Sequence, residues 1–180
     1  MGALVVYESM FGSTRLVAEA IAAGLGSKSD VTVAGVADAT GKLDGFDLVV
    51  VGGPTHAWGM SWPSTRRGAT LWTSKSGSDL VLEPGADTGP GVREWLASLS
   101  RADTRAAAFD TRIKAPVLFT GRASRTVRRH LVRLGLDVVA PPESFLVDKK
   151  SHLLPGELER ARVWGATLAT ITEGAGTRRV

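Results

Sequence analysis

Six consecutive residues, Ser9-Met10-Phe11-Gly12-Ser13-Thr14, set three hydroxyls and a glycine between two patterned segments. Before them runs apolar Leu4-Val5-Val6-Tyr7, and after them Val17, Ala20, Ile21 and Leu25 recur at helical spacing. A loop so placed delivers its backbone N–H groups and hydroxyls to the positive end of a helix dipole, where a phosphomonoester is stabilised. Capping of the helix is the simpler role of the same residues. The loop is neither G-x-G-x-x-G nor a Walker loop. The nearest approach to the latter, Gly35 to Gly41-Lys42, is one residue too long and carries Leu43 where a hydroxyl is needed. Nucleoside triphosphates and dinucleotides are thereby disfavoured.

Two further segments suit a planar ligand. Gly52-Gly53-Pro54-Thr55-His56-Ala57-Trp58-Gly59-Met60 follows a third apolar run; its glycines permit close backbone approach, and Trp58 offers a flat aromatic surface, with Trp62 a second candidate. His56 could donate a hydrogen bond or move a proton near neutral pH, although holding the loop is its simpler role. Phe109-Asp110-Thr111-Arg112-Ile113-Lys114 follows a fourth run and brings two cations to a strand end. His130 and His152 stand apart from acids at ligand spacing, so no metal site is expected.

The 180 residues correspond to one domain over 1–172 with a flexible tail at 173–180, taking roughly 150 residues per core. Hydrophobic residues at 43% and charged residues at 22% place the chain among folded globular proteins. Zero cysteines exclude disulfides, thiolate metal sites and a Cys nucleophile. No apolar run approaches the roughly 20 residues of a membrane span, and the start lacks the basic segment of a secretory signal, so a cytoplasmic protein is expected and no membrane partner. Arginine supplies 16 of the 22 positive charges and the net charge is +4, a balance that favours acidic partners. Asn and Gln are absent and no aromatics interleave with the arginines, which disfavours nucleic acid.

These loops need elements to position them. Strands are expected at 4–7, 31–36, 46–51 and 106–109, with a fifth between Leu136 and Val147 interrupted by Pro141-Pro142. Helical spacing follows the first strand and reappears at Val92, Trp95, Leu96 and Leu99, at Val127, Leu131 and Leu134, and at Ala161, Trp164, Leu168 and Ile171, the last pattern dissolving at Gly174. Trp95 and Trp164 fall on these stripes and are expected in the core. Residues 64–89 lack a sustained period and read as an irregular insertion after the third strand. Alternating strands and helices imply an α/β fold, a doubly wound five-stranded parallel sheet with helices on both faces, whose ligands bind at the carboxyl ends of the strands.

The stretch Val5-Val6-Tyr7-Glu8-Ser9-Met10-Phe11-Gly12-Ser13-Thr14-Arg15-Leu16-Val17-Ala18-Glu19-Ala20-Ile21 resembles the flavodoxin signature. The resemblance implies a flavodoxin-like sheet of order 2-1-3-4-5 and noncovalent FMN. By it, Ser9, Met10, Phe11, Gly12, Ser13 and Thr14 surround the FMN phosphate. Pro54, Thr55, His56, Ala57, Trp58 and Gly59 form a first ring loop, and Phe109, Asp110, Thr111 and Arg112 a second. The chain departs from the pattern at Phe11, where many flavodoxins carry a hydroxyl, and in the second ring loop, which lacks the usual tyrosine and acidic neighbours. A cation there, Arg112 or Lys114, would favour reduced flavin and make the potential less negative. An FMN-binding electron carrier is the leading expectation. Its rivals are an FMN-dependent NAD(P)H:quinone-type oxidoreductase and a flavin-free partner-binding module of the same fold. Arg122, Arg125, Arg129 and Arg133 recur at helical spacing and are a candidate docking face for a redox partner or NAD(P)H.

Overall fold

The computed structural model describes residues 1–26, 30–56, 59–73 and 80–176. In chain order the elements are β1 (Gly2–Tyr7), α1 (Ser13–Leu25), β2 (Asp30–Gly35), β3 (Leu48–Pro54), α2 (Pro63–Thr73), α3 (Val92–Ser98), β4 (Arg105–Ile113), α4 (Val117–Thr120), α5 (Ala123–Arg133), β5 (Asp137–Val138), β6 (Glu143–Val147) and α6 (Glu157–Gly176). The named strands pair in parallel in the order β2-β1-β3-β4-β5, with β6 also pairing β4. The doubly wound sheet of order 2-1-3-4-5 expected from the sequence is the one observed.

Side chains along the central strands alternate between two cores because successive Cβ atoms point to opposite faces. Leu4, Val6, Val49, Val51, Ala106 and Ala108 pack with Trp95 and Leu96 of α3 and Val127 and Leu131 of α5. Ala3, Val5, Leu48, Val50, Ala107 and Phe109 pack with Val17, Ala18 and Ile21 of α1 and Ala161 and Leu168 of α6. Both faces are covered, so β1, β3 and β4 read as continuous apolar runs. β2 lies at the edge and leaves Val33 exposed. Trp95 is buried and Trp164 packs edge-on against Phe145, at 6.2 Å between centroids, so both occupy the core as expected.

Four local expectations are adjusted. The segment after β3, read as irregular from residue 64, opens with helix α2, whose Pro63 suits a first helical position and whose polar residues hide its period. β4 continues to Ile113, so Phe109-Asp110-Thr111-Arg112 is strand rather than loop. The fifth strand is two pieces, β5 and β6, separated at Pro141-Pro142, where no N–H is present to continue a ladder. α6 runs to Gly176, beyond Gly174; Ile171 on it is exposed while Thr172 is buried, and the remainder of the tail, 177–180, lies outside the described residues. Among the described residues no helix is long and apolar enough to cross a membrane.

Candidate functional site

The parallel strands bring the loops after β1, β3 and β4 to one edge of the sheet. The first of them turns into α1 through Gly12, whose φ of 90° is a left-handed conformation that a side chain would strain. Each of its hydroxyls has a partner within the protein. Ser9 Oγ accepts the Gly12 N–H at 3.1 Å, Ser13 Oγ donates to the Ser151 carbonyl, and Thr14 Oγ1 meets Thr111 Oγ1 at 2.8 Å. Their remaining capacity differs. Ser9 keeps its own proton, and one O–H of the Thr14–Thr111 pair is left over, whereas the single Ser13 proton is spent. The first-turn N–H groups of Ser13, Thr14 and Arg15 have no partner within the helix.

Beside this loop lies a cleft of about 250 Å³. Of the residues singled out in the sequence, Met10, Phe11, Ser13 and Thr14 line it from the first loop, Pro54, Thr55 and His56 from the second, and Thr111 and Arg112 from β4. Ser9 and Gly12 shape the loop without lining the cleft. Phe109 is wholly buried, edge-on to Phe145, and does not reach it. Asp110 is wholly buried as well, and its Oδ2 accepts the Ser124 N–H at 2.8 Å, capping α5. Lys114 is exposed and outside the cleft. Gly59 exchanges backbone hydrogen bonds with His56 at 2.8 and 2.9 Å, pinching the loop that carries Ala57 and Trp58, two residues outside those described. Trp62 faces away, its ring beneath the Arg93 guanidinium at 3.8 Å.

The sequence reading missed the other wall. Thr65 and Ala69 of α2, Leu80, and Val147, Lys149 and Ser151 beyond β6 complete the cleft. Glu83, ahead of α3, meets the first loop: its N–H donates to the Met10 carbonyl at 2.8 Å, and the Arg15 Nε donates to its carboxylate at 2.6 Å. The 148–152 turn is tied by Asp148 Oδ1, which accepts the Lys150 and His152 N–H groups, and it holds Ser151 at a φ of 60°. Among the described residues Ser151 is the one non-glycine with a positive φ, and a serine carries no sequence signal for it.

The electrostatics are set by burial. The His56 imidazole is held below its ordinary value by burial and then by Arg66, so it is neutral at pH 7, and its Nε2 is buried without a partner among the described residues. Arg112 donates through Nη1 to the Ala115 carbonyl at 2.9 Å, folding the turn after β4, while its Nε is buried and unpartnered among the described residues. Behind the cleft, burial pushes the Glu8 carboxyl up; its Oε2 accepts the Val92 N–H at 2.9 Å, and Arg66 beside it donates to Ser61 and Glu94. Among the described residues no group of His, Asp and Glu side chains could hold a metal ion.

The chain is similar to proteins already known. Residues 4–63 match the family model described as the flavodoxin domain. No curated protein matches. A flavodoxin from the domain Archaea superposes with a TM-score of 0.65 at 21% identity, over 96% of this chain and 99% of that one. Oxidised Flavodoxin 1 from Bacillus cereus superposes at 0.63 and 17% identity, over 94% and 98%. Rubredoxin oxygen:oxidoreductase from Desulfovibrio gigas superposes at 0.64 and 16% identity, over 96% of this chain but 36% of its own. The resemblance to flavodoxins is thus borne out in sequence over residues 4–63 and in fold over nearly the whole chain.

Proposed function

We propose that this chain, with its flavodoxin fold, binds FMN in the cleft between α1, β3 and β4 and carries electrons between redox partners in the cytoplasm. The observation that carries the reading is the convergence, in one cleft, of the N-terminus of α1 with two buried polar atoms that have no partner among the described residues, Arg112 Nε and His56 Nε2. Bound FMN supplies the redox chemistry, accepting and releasing electrons at its ring.

The residues present fit that group. Ser9, the first-turn N–H groups of α1 and the spare O–H of Thr14 and Thr111 would receive the phosphate. Met10, Phe11 and Pro54 supply apolar walls, and neutral His56 would hydrogen-bond a ring heteroatom without adding charge. Arg112 would place a positive charge against the ring, and Lys149 another at the rim. Trp58 remains the proposed stacking partner. A redox protein or NAD(P)H would meet the basic helix α5, although Arg122 is turned inward, its Nε donating to Ser144 Oγ at 3.0 Å.

A titration of the apo protein with FMN, followed by flavin fluorescence and the visible spectrum, tests the reading. Near-stoichiometric saturation that weakens in Ser9→Ala and Trp58→Ala is expected. A protein that stays colourless overturns it in favour of a flavin-free binding module, and steady NAD(P)H oxidation with a quinone replaces the carrier with a reductase.

A further inference from the structure

Three exposed arginines, Arg125, Arg128 and Arg129, stand on one flank of α5 and make no ion pair among the described residues. The spacing i, i+3, i+4 puts them side by side, where like charges repel. Among the described residues Arg129 donates only within its own helix, to the Arg125 carbonyl at 3.4 Å and Thr126 Oγ1 at 3.1 Å. His130 reports the same field: burial, then Arg133, Arg93 and Arg129, hold its imidazole below the ordinary value.

The three side chains form one wall of a groove of about 790 Å³, separate from the cleft. Its other wall is the interrupted sheet edge from Val138 to Pro142. The one acid of β6 at that edge, Glu143, is engaged by Arg160 at 2.5 Å. Pro141 and Pro142 offer no N–H, so a guest cannot extend the sheet as a further strand here. What the groove offers is guanidinium groups along one side and apolar surface along the other. Three guanidinium groups at i, i+3 and i+4 carry more positive charge than one small anion neutralises, which suits a chain of carboxylates, and each can clamp a carboxylate with two parallel hydrogen bonds. Among the described residues no aromatic side chain lines the groove to stack bases.

We propose that this groove docks an extended acidic segment of a partner protein, its carboxylates on Arg125, Arg128 and Arg129 and its apolar side chains against Val138, Pro141 and Pro142. α5 begins at the cleft, where the Ala123 N–H donates to Thr55 Oγ1 at 3.0 Å, so a docked partner sits on the helix that starts there. The docking stands without a bound flavin; only its use in electron transfer rests on the function proposed above.

The test uses the full chain and a fluorescein-labelled peptide of alternating Glu and Val, read by fluorescence anisotropy at low and raised salt. Binding is expected to fall by about tenfold or more in R125E/R129E, and by less than about twofold in K42E/R67E, which changes net charge equally at exposed sites off the groove. Equal loss in both variants overturns the groove as the site, and displacement of the peptide by NADPH or single-stranded oligonucleotide at lower concentration than by unlabelled peptide overturns its ligand class. FMN titrations of both variants run alongside: absent FMN binding with intact peptide docking counts against the flavin reading alone.

Discussion

The hydroxyls of Thr14 and Thr111 lie 2.8 Å apart, both buried, and tie the first turn of α1 to the far end of β4. The start of a helix and the end of a strand, joined by residues 97 apart in sequence, are therefore one framework, and a change in either reaches the other. Replacing Thr111 by Val keeps the shape and strands the Thr14 hydroxyl, at a cost of about 1–3 kcal/mol. Urea denaturation of T14V, T111V and the double variant measures it. The double variant should cost less than the sum of the singles, because the second substitution removes the stranded group.

Ser9 and Ser13 should not be equivalent. Ser9 Oγ accepts a backbone N–H and keeps its proton for an anion, whereas Ser13 Oγ has given its proton to the Ser151 carbonyl. A hydrogen bond to a charged group is worth roughly 1.5–3 kcal/mol, so Ser9→Ala should weaken FMN binding by about 10- to 100-fold and leave riboflavin binding nearly unchanged. Ser13→Ala should affect FMN and riboflavin alike, through the released 148–152 turn. Comparing the two flavins against both variants separates phosphate recognition from loop order.

The frame of this site was legible in the sequence because hydrophobic periodicity fixes elements and parallel connectivity fixes which loops converge. Ser13, Thr14, Pro54, Thr55 and His56 fall where strand ends must place them. Phe109 and Asp110 were misplaced because a strand buried on both faces has no alternation to mark its end, and β4 runs four residues past Phe109. Lys149 and Ser151 were invisible for another reason: Asp148 closes their turn locally, but the turn meets the first loop through the Ser13 hydroxyl on the Ser151 carbonyl across 138 residues, and no local pattern encodes that pairing. Helix α2 escaped because its residues Ser64, Thr65, Arg66 and Arg67 lack an apolar stripe, and its position is held by Arg66 contacts to Ser61 and Glu94.

Of the two cations singled out after the fourth strand, Arg112 reaches the cleft and Lys114 lies outside it. Removing its charge should make the potential of bound FMN more negative, because a nearby cation favours the reduced ring. Each 1.36 kcal/mol of lost stabilisation corresponds to about 59 mV for one electron. Spectroelectrochemical titration of Arg112→Ala should show a fall of tens of mV on that scale, and Arg112→Lys should recover part of it. An unchanged potential would assign Arg112 to folding the 113–120 turn alone.

His56 makes stability depend on pH with a definite sign. Burial and Arg66 depress its folded value, so below the ordinary imidazole value of 6.5 the unfolded chain takes up a proton that the folded chain refuses. Stability should then decline as pH falls through about 6.5, by at most ~1.4 kcal/mol per pH unit from this group. His130 is shifted the same way and adds to the slope. Denaturation midpoints at pH 7.5 and 5.5 should diverge less in His56→Phe than in the wild type, and an equal divergence would place the acid sensitivity at His130.

The crossing of α1 and α6 is set by two glycines that interlock backbone to backbone. A Cβ on Gly165 would lie 2.2 Å from the Ile21 carbonyl oxygen, and one on Gly24 would lie 1.9 Å from that of Arg162. Neither obstacle is a side chain that could turn aside, so either helix must move as a body. Alanine is the better helix former by about 1 kcal/mol, which on an open surface would stabilise α6. Here the forced separation of the helices also loosens the Phe145–Trp164 and Ile21–Leu168 side of the core, and overpacking of this kind costs about 1–3 kcal/mol or more. Gly165→Ala should therefore lower the urea midpoint despite its helix propensity, whereas Gly174→Ala, with nothing within 4 Å of its added methyl, should raise it slightly. A pair of variants chemically identical and opposite in sign isolates the close approach from the propensity of the residue.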